Sequence, residues 1–425
     1  MPDKEINDLS SKASPLDTDE IELQATGGGD SAKATLRNLF DSILNFTAEG
    51  QIIVGDGTTD PVTGSYPINR NLVINGDMRV AQRGTSFATL TASQYVLDRW
   101  EWIDTGTTAA VVTITQDTDV PTVAEADTKF SSSLKVDVTT AEDLAGADAA
   151  LYLSHKIEAR DCVFFGHGAT GALAGKLSFW FKSTKTGIFT VNVDRDDASE
   201  KYSTEFTVAT TDTWEKHSVT VPGDTGGTAI ADDAGIGLTL QIMMAVGGDG
   251  DTSTKDAWNA NGATELATAN QVNLLDNATN NVFITGVQYE VGSVVTPFER
   301  RPFSQELTLC QRYYAKTFPY GTAPAQNLGN QEGAISYRVH VAGVVNHTTT
   351  WNLSVVMRAT PTVTFYNTDA ANTNWRNTSS PAGDSGAPAL EGPSNDRHLV
   401  IRNPQASGDG VGEFLHIQAQ ADAEL

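Results

Sequence analysis

Between Asn71 and Tyr289 the chain offers short runs of two-residue period, broken by clusters of Gly, Asn, Asp and Thr, and no stretch of helical period intervenes. Strands are predicted at 71–74, 100–103, 109–115, 133–138, 151–157, 175–182, 187–193, 204–208, 215–221, 236–245 and 282–289. A parallel sheet needs a crossover helix between successive strands, and none is available here. The predicted packing is therefore an antiparallel jelly-roll β-sandwich over residues 69–302. A hydrophobic fraction of 39% and 37 glycines suit many short strands joined by turns.

Pro297 and Pro302 mark extended chain that closes this region. After them Ser304 is placed to cap a helix over 304–316, with Glu306 in its first turn and Leu307, Cys310 and Tyr314 on one face. Further strands at 333–345, 351–357, 362–366, 398–403 and 412–420 predict a smaller C-terminal β domain over 303–425. Residues 367–395, rich in Asn, Ser, Gly and Pro, read as one long loop with Trp375 inside it.

Residues 1–68 read as a polar leader with one amphipathic helix. Asp30 or Ser31 is its expected cap, and Leu36, Leu39, Phe40, Ile43 and Leu44 form its apolar stripe. A lone stripe needs a partner: copies of itself, a socket on another protein, or the chain's own β domain.

A formal net charge of −25 opposes binding to phosphate backbones, so nucleic acid is excluded as a partner. Cys162 and Cys310 have no paired spacing and read as buried free thiols. No apolar run is long enough to insert in a membrane, and the first residues lack the apolar core of a secretory signal, which predicts synthesis in the cytosol.

Two groups of motifs carry a resemblance. The first is TGVQYEVGS from Thr285, TPFERR from Thr296 and ELTLCQRYY from Glu306. The second is NLVINGDM from Asn71, QRGTSF from Gln82 and the triplet Asp98, Arg99, Trp100. In this order they resemble tail-fibre and receptor-binding proteins of tailed bacteriophages and prophages, whose jelly-roll module is similar to carbohydrate-binding modules. The ending from Ala421 to Leu425 and the leader from Asp8 to Glu20 are similar to the same proteins. The resemblance implies a homotrimer located in the virion, joined to a tail or head protein through its N-terminus, and meeting a host-surface glycan or receptor. A ligand-free capsid or tail decoration protein is the alternative, and a polysaccharide depolymerase a further one.

The residues themselves give no catalytic constellation. Seven His are scattered singly, outside any metal-ligand spacing. The acidic runs at 194–197 and 247–251 have the hard oxygen ligands that Ca²⁺ takes, although such runs are commonly solvated turns. Sugar rings stack on aromatic faces, so an aromatic in a polar loop is a candidate platform. Trp100, Trp102, Trp180 and Trp214 read as core. Trp375, flanked by Asn372, Asn374 and Arg376, and Trp258 in a second polar segment are the candidate ligand-binding residues.

Overall fold

The computed structural model describes residues 70–425 except 107, 127, 145–148, 249, 263, 342–346, 380–381 and 404–408, together with two strands of the leader. The chain divides into two units, Met1–Ile68 and Asn69–Leu425. In the first, β1 (Glu20–Leu23) and β2 (Ala32–Thr35) form an antiparallel ladder, Glu20 opposite Thr35 and Leu23 opposite Ala32. Ala32–Thr35 thus spends its backbone in a hairpin, where the first helical turn after Asp30 or Ser31 was expected. Leu36, Leu39, Phe40, Ile43 and Leu44 lie outside the described residues.

The second unit begins with a mainly antiparallel β-sandwich. Its strands are β3 (Ser86–Leu90), β4 (Gln94–Tyr95), β5 (Glu101–Gly106), β6 (Val111–Asp117), β7 (Ser133–Thr140), β8 (Ala149–Glu158), β9 (Gly175–Ser183), β10 (Gly187–Arg195), β11 (Glu200–Val208), β12 (Glu215–Val221), β13 (Ile236–Val246), β14 (Ala257–Ala260) and β15 (Asn281–Val291). One sheet has seven strands in the order β14-β11-β10-β13-β8-β5-β4, the other six in the order β12-β9-β15-β7-β6-β3. Alternate residues of both sheets meet in one core, to which Trp102, Leu153, Phe181, Val191, Phe206, Leu240 and Ile284 belong. Trp100 and Trp102 are fully buried there, and Cys162 and Cys310 are buried free thiols. No described helix is long and apolar enough to cross a membrane.

After the sandwich comes helix α1 (Phe303–Gln311). Pro302, not Ser304, occupies its cap position, with no side-chain capping bond, and the helix stops before Tyr314. The smaller β region holds β16 (Tyr314–Lys316), β17 (Ile335–Arg338), β18 (His347–Asn352), β19 (Thr362–Tyr366), β20 (Arg376–Asn377), β21 (Gly383–Asp384), β22 (Ala389–Leu390), β23 (His398–Asn403) and β24 (Phe414–Asp422). β24 is its spine, pairing with β16, β17, β19 and β20, while β18, β23 and β22 form a second sheet. The segment expected to be one long loop therefore contains three short strands.

The residues that carry the sequence resemblance join these regions. Asn71 Oδ1 accepts from the backbone N–H groups of Val73 (3.0 Å) and Tyr289 (3.1 Å). Asn75 donates to the carbonyls of Val80 (2.9 Å) and Asp98 (3.0 Å). Gln82 donates to Asp98 (2.6 Å) and to the carbonyl of Tyr314 (3.1 Å). Arg301 donates to the carbonyls of Asn71 and Val73 and pairs with buried Glu306 at 3.4 Å. Arg99 lies over the Tyr313 ring at 3.6 Å and pairs with Glu424, and Arg312 pairs with Glu158 at 2.6 Å.

Two glycines of these motifs have steric reasons. A Cβ on Gly76 would stand 2.1 Å from the Val287 carbonyl oxygen. Gly286 has φ +63° at the register shift of β15, and its Cβ would meet Phe130 at 2.7 Å. The motifs thus build a buried joint rather than a surface.

Candidate functional site

The sandwich turns one face of its seven-stranded sheet inward, so the opposite phase of each strand lies on the outer face. Register sets Glu101, Ser154, Gln241, Asn192 and Ser203 side by side across β5, β8, β13, β10 and β11. The adjacent row is Lys156, Thr239, Asp194 and Lys201, continued by Asn259 on β14. Tyr152 follows Ser154 in the same phase, beside Met243.

These are polar side chains on an outward face, yet they are sheltered: Asn192 is 0% exposed, Lys201 1%, Asp194 3% and Gln241 7%. The connection from β13 to β15 accounts for the cover over β10 and β11. Its Leu266 carbonyl accepts from Asn192 (2.7 Å), and Thr268 meets Thr190 (3.1 Å). Leu266 and Ala267 also close over Met243, Ala150 and Tyr152. On the β5–β8 side Glu101, Ile103, Tyr152 and Lys156 stay partly exposed. The outer face is thus a groove open along β5 and β8, where Glu101 and Tyr152 are partly exposed, with its polar residues on β10 and β11 roofed by the connection.

The floor is a network with free ends. Gln241 donates to Asp194 Oδ2 (2.6 Å) and accepts from Asn192 (3.1 Å). Asn192 Oδ1, Asp194 Oδ1 and the hydroxyls of Ser203 and Ser253 are buried without a protein partner. An unsatisfied buried polar atom costs about 1–3 kcal/mol, so these oxygens are a burden on the fold of the isolated chain. Burial pushes Asp194 up to about 7, against the pull of Lys201 and with a smaller push from Asp196. Burial also lowers Lys201 and raises Tyr152, the latter further raised by Asp194 and Glu101. Lys156 is held by Glu101 (3.0 Å) and the Leu425 carbonyl (2.7 Å).

The residues expected to bind ligand lie elsewhere. Trp375 is fully buried in the C-terminal core with Ile401, Leu415 and Ile417, and its indole N–H points to the Arg402 carbonyl at 3.4 Å. It presents no stacking face to solvent in this fold. Asn372 accepts from Asn367 and from the Asn374 backbone (both 2.9 Å) and donates to Asp384 (2.7 Å). Arg376 pairs with Asp369 (3.1 Å) and Asp384 (3.2 Å). These groups tie the 367–384 segment to itself. Trp258 is half-buried on the inner side of β14, edge-on to Tyr202 (5.6 Å) and His167 (5.8 Å).

Among the described residues no three His, Cys, Asp or Glu side chains converge as a metal site. The 194–197 run diverges: Asp194 lies on the outer face, whereas Asp197 pairs with Arg195 at 3.3 Å. Asp249 of the 247–251 run lies outside the described residues. Sequence reading missed the groove because Asn192, Asp194, Ser203 and Gln241 sit on three different strands. The only local trace is the polar phase Thr190, Asn192, Asp194 alternating with Phe189, Val191, Val193.

No family model and no curated protein match the chain. Solved structures match over about half of it. The enzymatically active domain of bacteriophage CBA120 tailspike protein 4 aligns at 16% identity over 52% of this chain, with a TM-score of 0.29. This chain spans 22% of that one's length. A putative sugar binding protein from Bacteroides thetaiotaomicron aligns at 13% identity over 52% of this chain and 100% of its own, TM-score 0.28. A family 11 carbohydrate-binding module from Clostridium thermocellum, in complex with a mixed-linked tetrasaccharide, aligns at 11% identity over 50% of this chain and 99% of its own, TM-score 0.24. At such scores a functional reading has to rest on the side chains of this chain.

Proposed function

We propose that the Asn69–Leu425 unit is a non-enzymatic saccharide-binding module of a phage or prophage fibre, and that the outer groove of its larger sheet takes the glycan. One observation carries the binding reading. Asn192, Asp194 and Ser203 each leave a buried oxygen unpartnered in adjacent rows, beside the partly exposed ring of Tyr152. Saccharides need this combination, since hydroxyls seek paired donors and acceptors while the C–H face of the ring stacks on an aromatic. The order of motifs from Asn71 to Tyr314 supports the fibre context, with residues 1–68 as the segment that attaches to the particle and helps to form a homotrimer.

A glycan array probed with the purified protein tests the reading. Tyr152→Ala and Gln241→Ala are each expected to weaken the binding seen there about tenfold or more, a loss of about 1.4 kcal/mol, with unchanged circular dichroism. Binding that survives both substitutions would move the site away from this groove. A folded protein that binds no glycan would instead favour a ligand-free decoration protein.

A further inference from the structure

We infer that the C-terminal β region carries a second saccharide subsite, for a single neutral pyranose, in the groove walled by Trp351. This groove has a volume of about 310 Å³ and is bounded by the end of α1, by β16, by the turn before β17 and by the end of β18. That volume falls at the lower end of the range of about 300–1,000 Å³ found for ligand clefts. It lies in the C-terminal β region, whereas the groove of the larger sheet belongs to the sandwich, and the two readings stand independently.

Trp351 is the aromatic that the expected platform at Trp375 is not. Its ring is half-buried, packed on one side against both small C-terminal cores, and it lines the groove. Around it stand two carboxamides with spare capacity. Gln311 uses its oxygen to accept from Ser354 (3.2 Å) and keeps its amide hydrogens, and exposed Asn352 has no side-chain partner among the described residues. An indole flanked by two amides offers a stacking face with donors and an acceptor at its rim, which suits a ring bearing hydroxyls.

Charge decides which kind of ring. Lys316 is the one ionisable side chain among the described residues lining the groove. It donates to the carbonyls of Gln82 (2.6 Å), Thr322 (2.7 Å) and Tyr320 (2.8 Å). An ammonium has three hydrogens, so none remains for a carboxylate or sulfate in the groove. A neutral sugar, which asks for no hydrogen from Lys316, therefore fits, whereas a uronic acid would find no free N–H with which to form a charge-assisted pair. Gly333, which also lines the groove, has φ +74°, and a Cβ there would stand 1.9 Å from the Thr317 carbonyl oxygen.

The test uses the full chain labelled with 5-fluorotryptophan, whose seven tryptophans give separate fluorine resonances, with Trp351 assigned from the Trp351→Phe protein. The probes are the methyl glycosides of glucose, galactose, mannose and N-acetylglucosamine, with methyl glucuronide as the charged comparison. At least one neutral glycoside is expected to shift the Trp351 resonance saturably. Asn352→Ala and Gln311→Ala, neither of them a buried core residue, are expected to weaken that titration about fivefold or more with the other six resonances in place. The Tyr152→Ala protein should give the same titration as the parent, so failure of the sheet groove and failure of this one are told apart. No saturable shift with any neutral glycoside, a shift unaltered in both amide variants, or a preference for the glucuronide would each overturn the assignment.

Discussion

Asp194 supplies the sharpest physical test, because its carboxyl lies at the centre of the polar floor and is held up to about 7 from an ordinary 3.8, chiefly by burial. At about 1.4 kcal/mol per pH unit, keeping this group ionised costs the folded state up to roughly 4 kcal/mol. The sign follows from proton counting. Well below pH 3.8 the carboxyl is protonated in both states and costs nothing. As pH rises towards 7 the unfolded chain loses the proton first, so stability falls, and above 7 the full cost stands. Asp194→Asn removes the titration while its side-chain oxygen still accepts from Gln241, which now reaches Asp194 Oδ2 at 2.6 Å. Lys201, its cross-strand neighbour, loses a counter-charge, which holds the gain below the ceiling. Urea unfolding across a pH series is the assay. The variant should exceed the parent by at least about 1 kcal/mol at pH 8, and the difference should shrink steadily towards pH 4. A difference that is flat with pH, or a variant less stable at pH 8, would refute the assignment of a costly buried charge.

Two further outcomes are expected. Trp375→Ala should destabilise the C-terminal β region by about 3–5 kcal/mol, seen as an early transition in calorimetry, while array binding by the sheet groove persists below that transition; a parental melting curve would show that its ring is dispensable. Light scattering of the full-length protein should report a trimer, and removal of residues 1–68 should abolish it, on the reading that the apolar stripe from Leu36 to Leu44 packs against its own copies; a stable monomer of the full chain would end that reading.

Strands were legible wherever alternation ran long enough to show a period. Glu215–Val221, Thr362–Tyr366 and His398–Asn403 have the bounds that the residues predict. The two-residue strands β20, β21 and β22 were not, because a pair of residues has no period and their Gly- and Asn-rich surroundings read as loop. Trp375 illustrates the same limit in side-chain terms. Its sequence neighbours are polar, but its packing partners Ile401, Leu415 and Ile417 come from β23 and β24, and only pairing brings them together. The motif residues Asn71, Asp98, Arg301 and Glu306 pose the opposite case, since polar residues that look like surface chemistry turn out to cross-link the two halves of the fold.

The sheet groove is where local pattern says least and energy says most. Polar residues in the outward phase of a strand are ordinary, and Asn192, Asp194 and Ser203 would merit no attention if water covered them. Here the β13–β15 connection shelters them, and each keeps an oxygen without a protein partner. At about 1–3 kcal/mol per unsatisfied group, three such atoms set aside a sizeable part of a stability of about 5–15 kcal/mol. A purely structural shaft would gain by replacing them with apolar residues of similar size. Their place in neighbouring register positions is what the proposed saccharide site would turn to use, because an incoming hydroxyl that reached these oxygens would recover part of that cost.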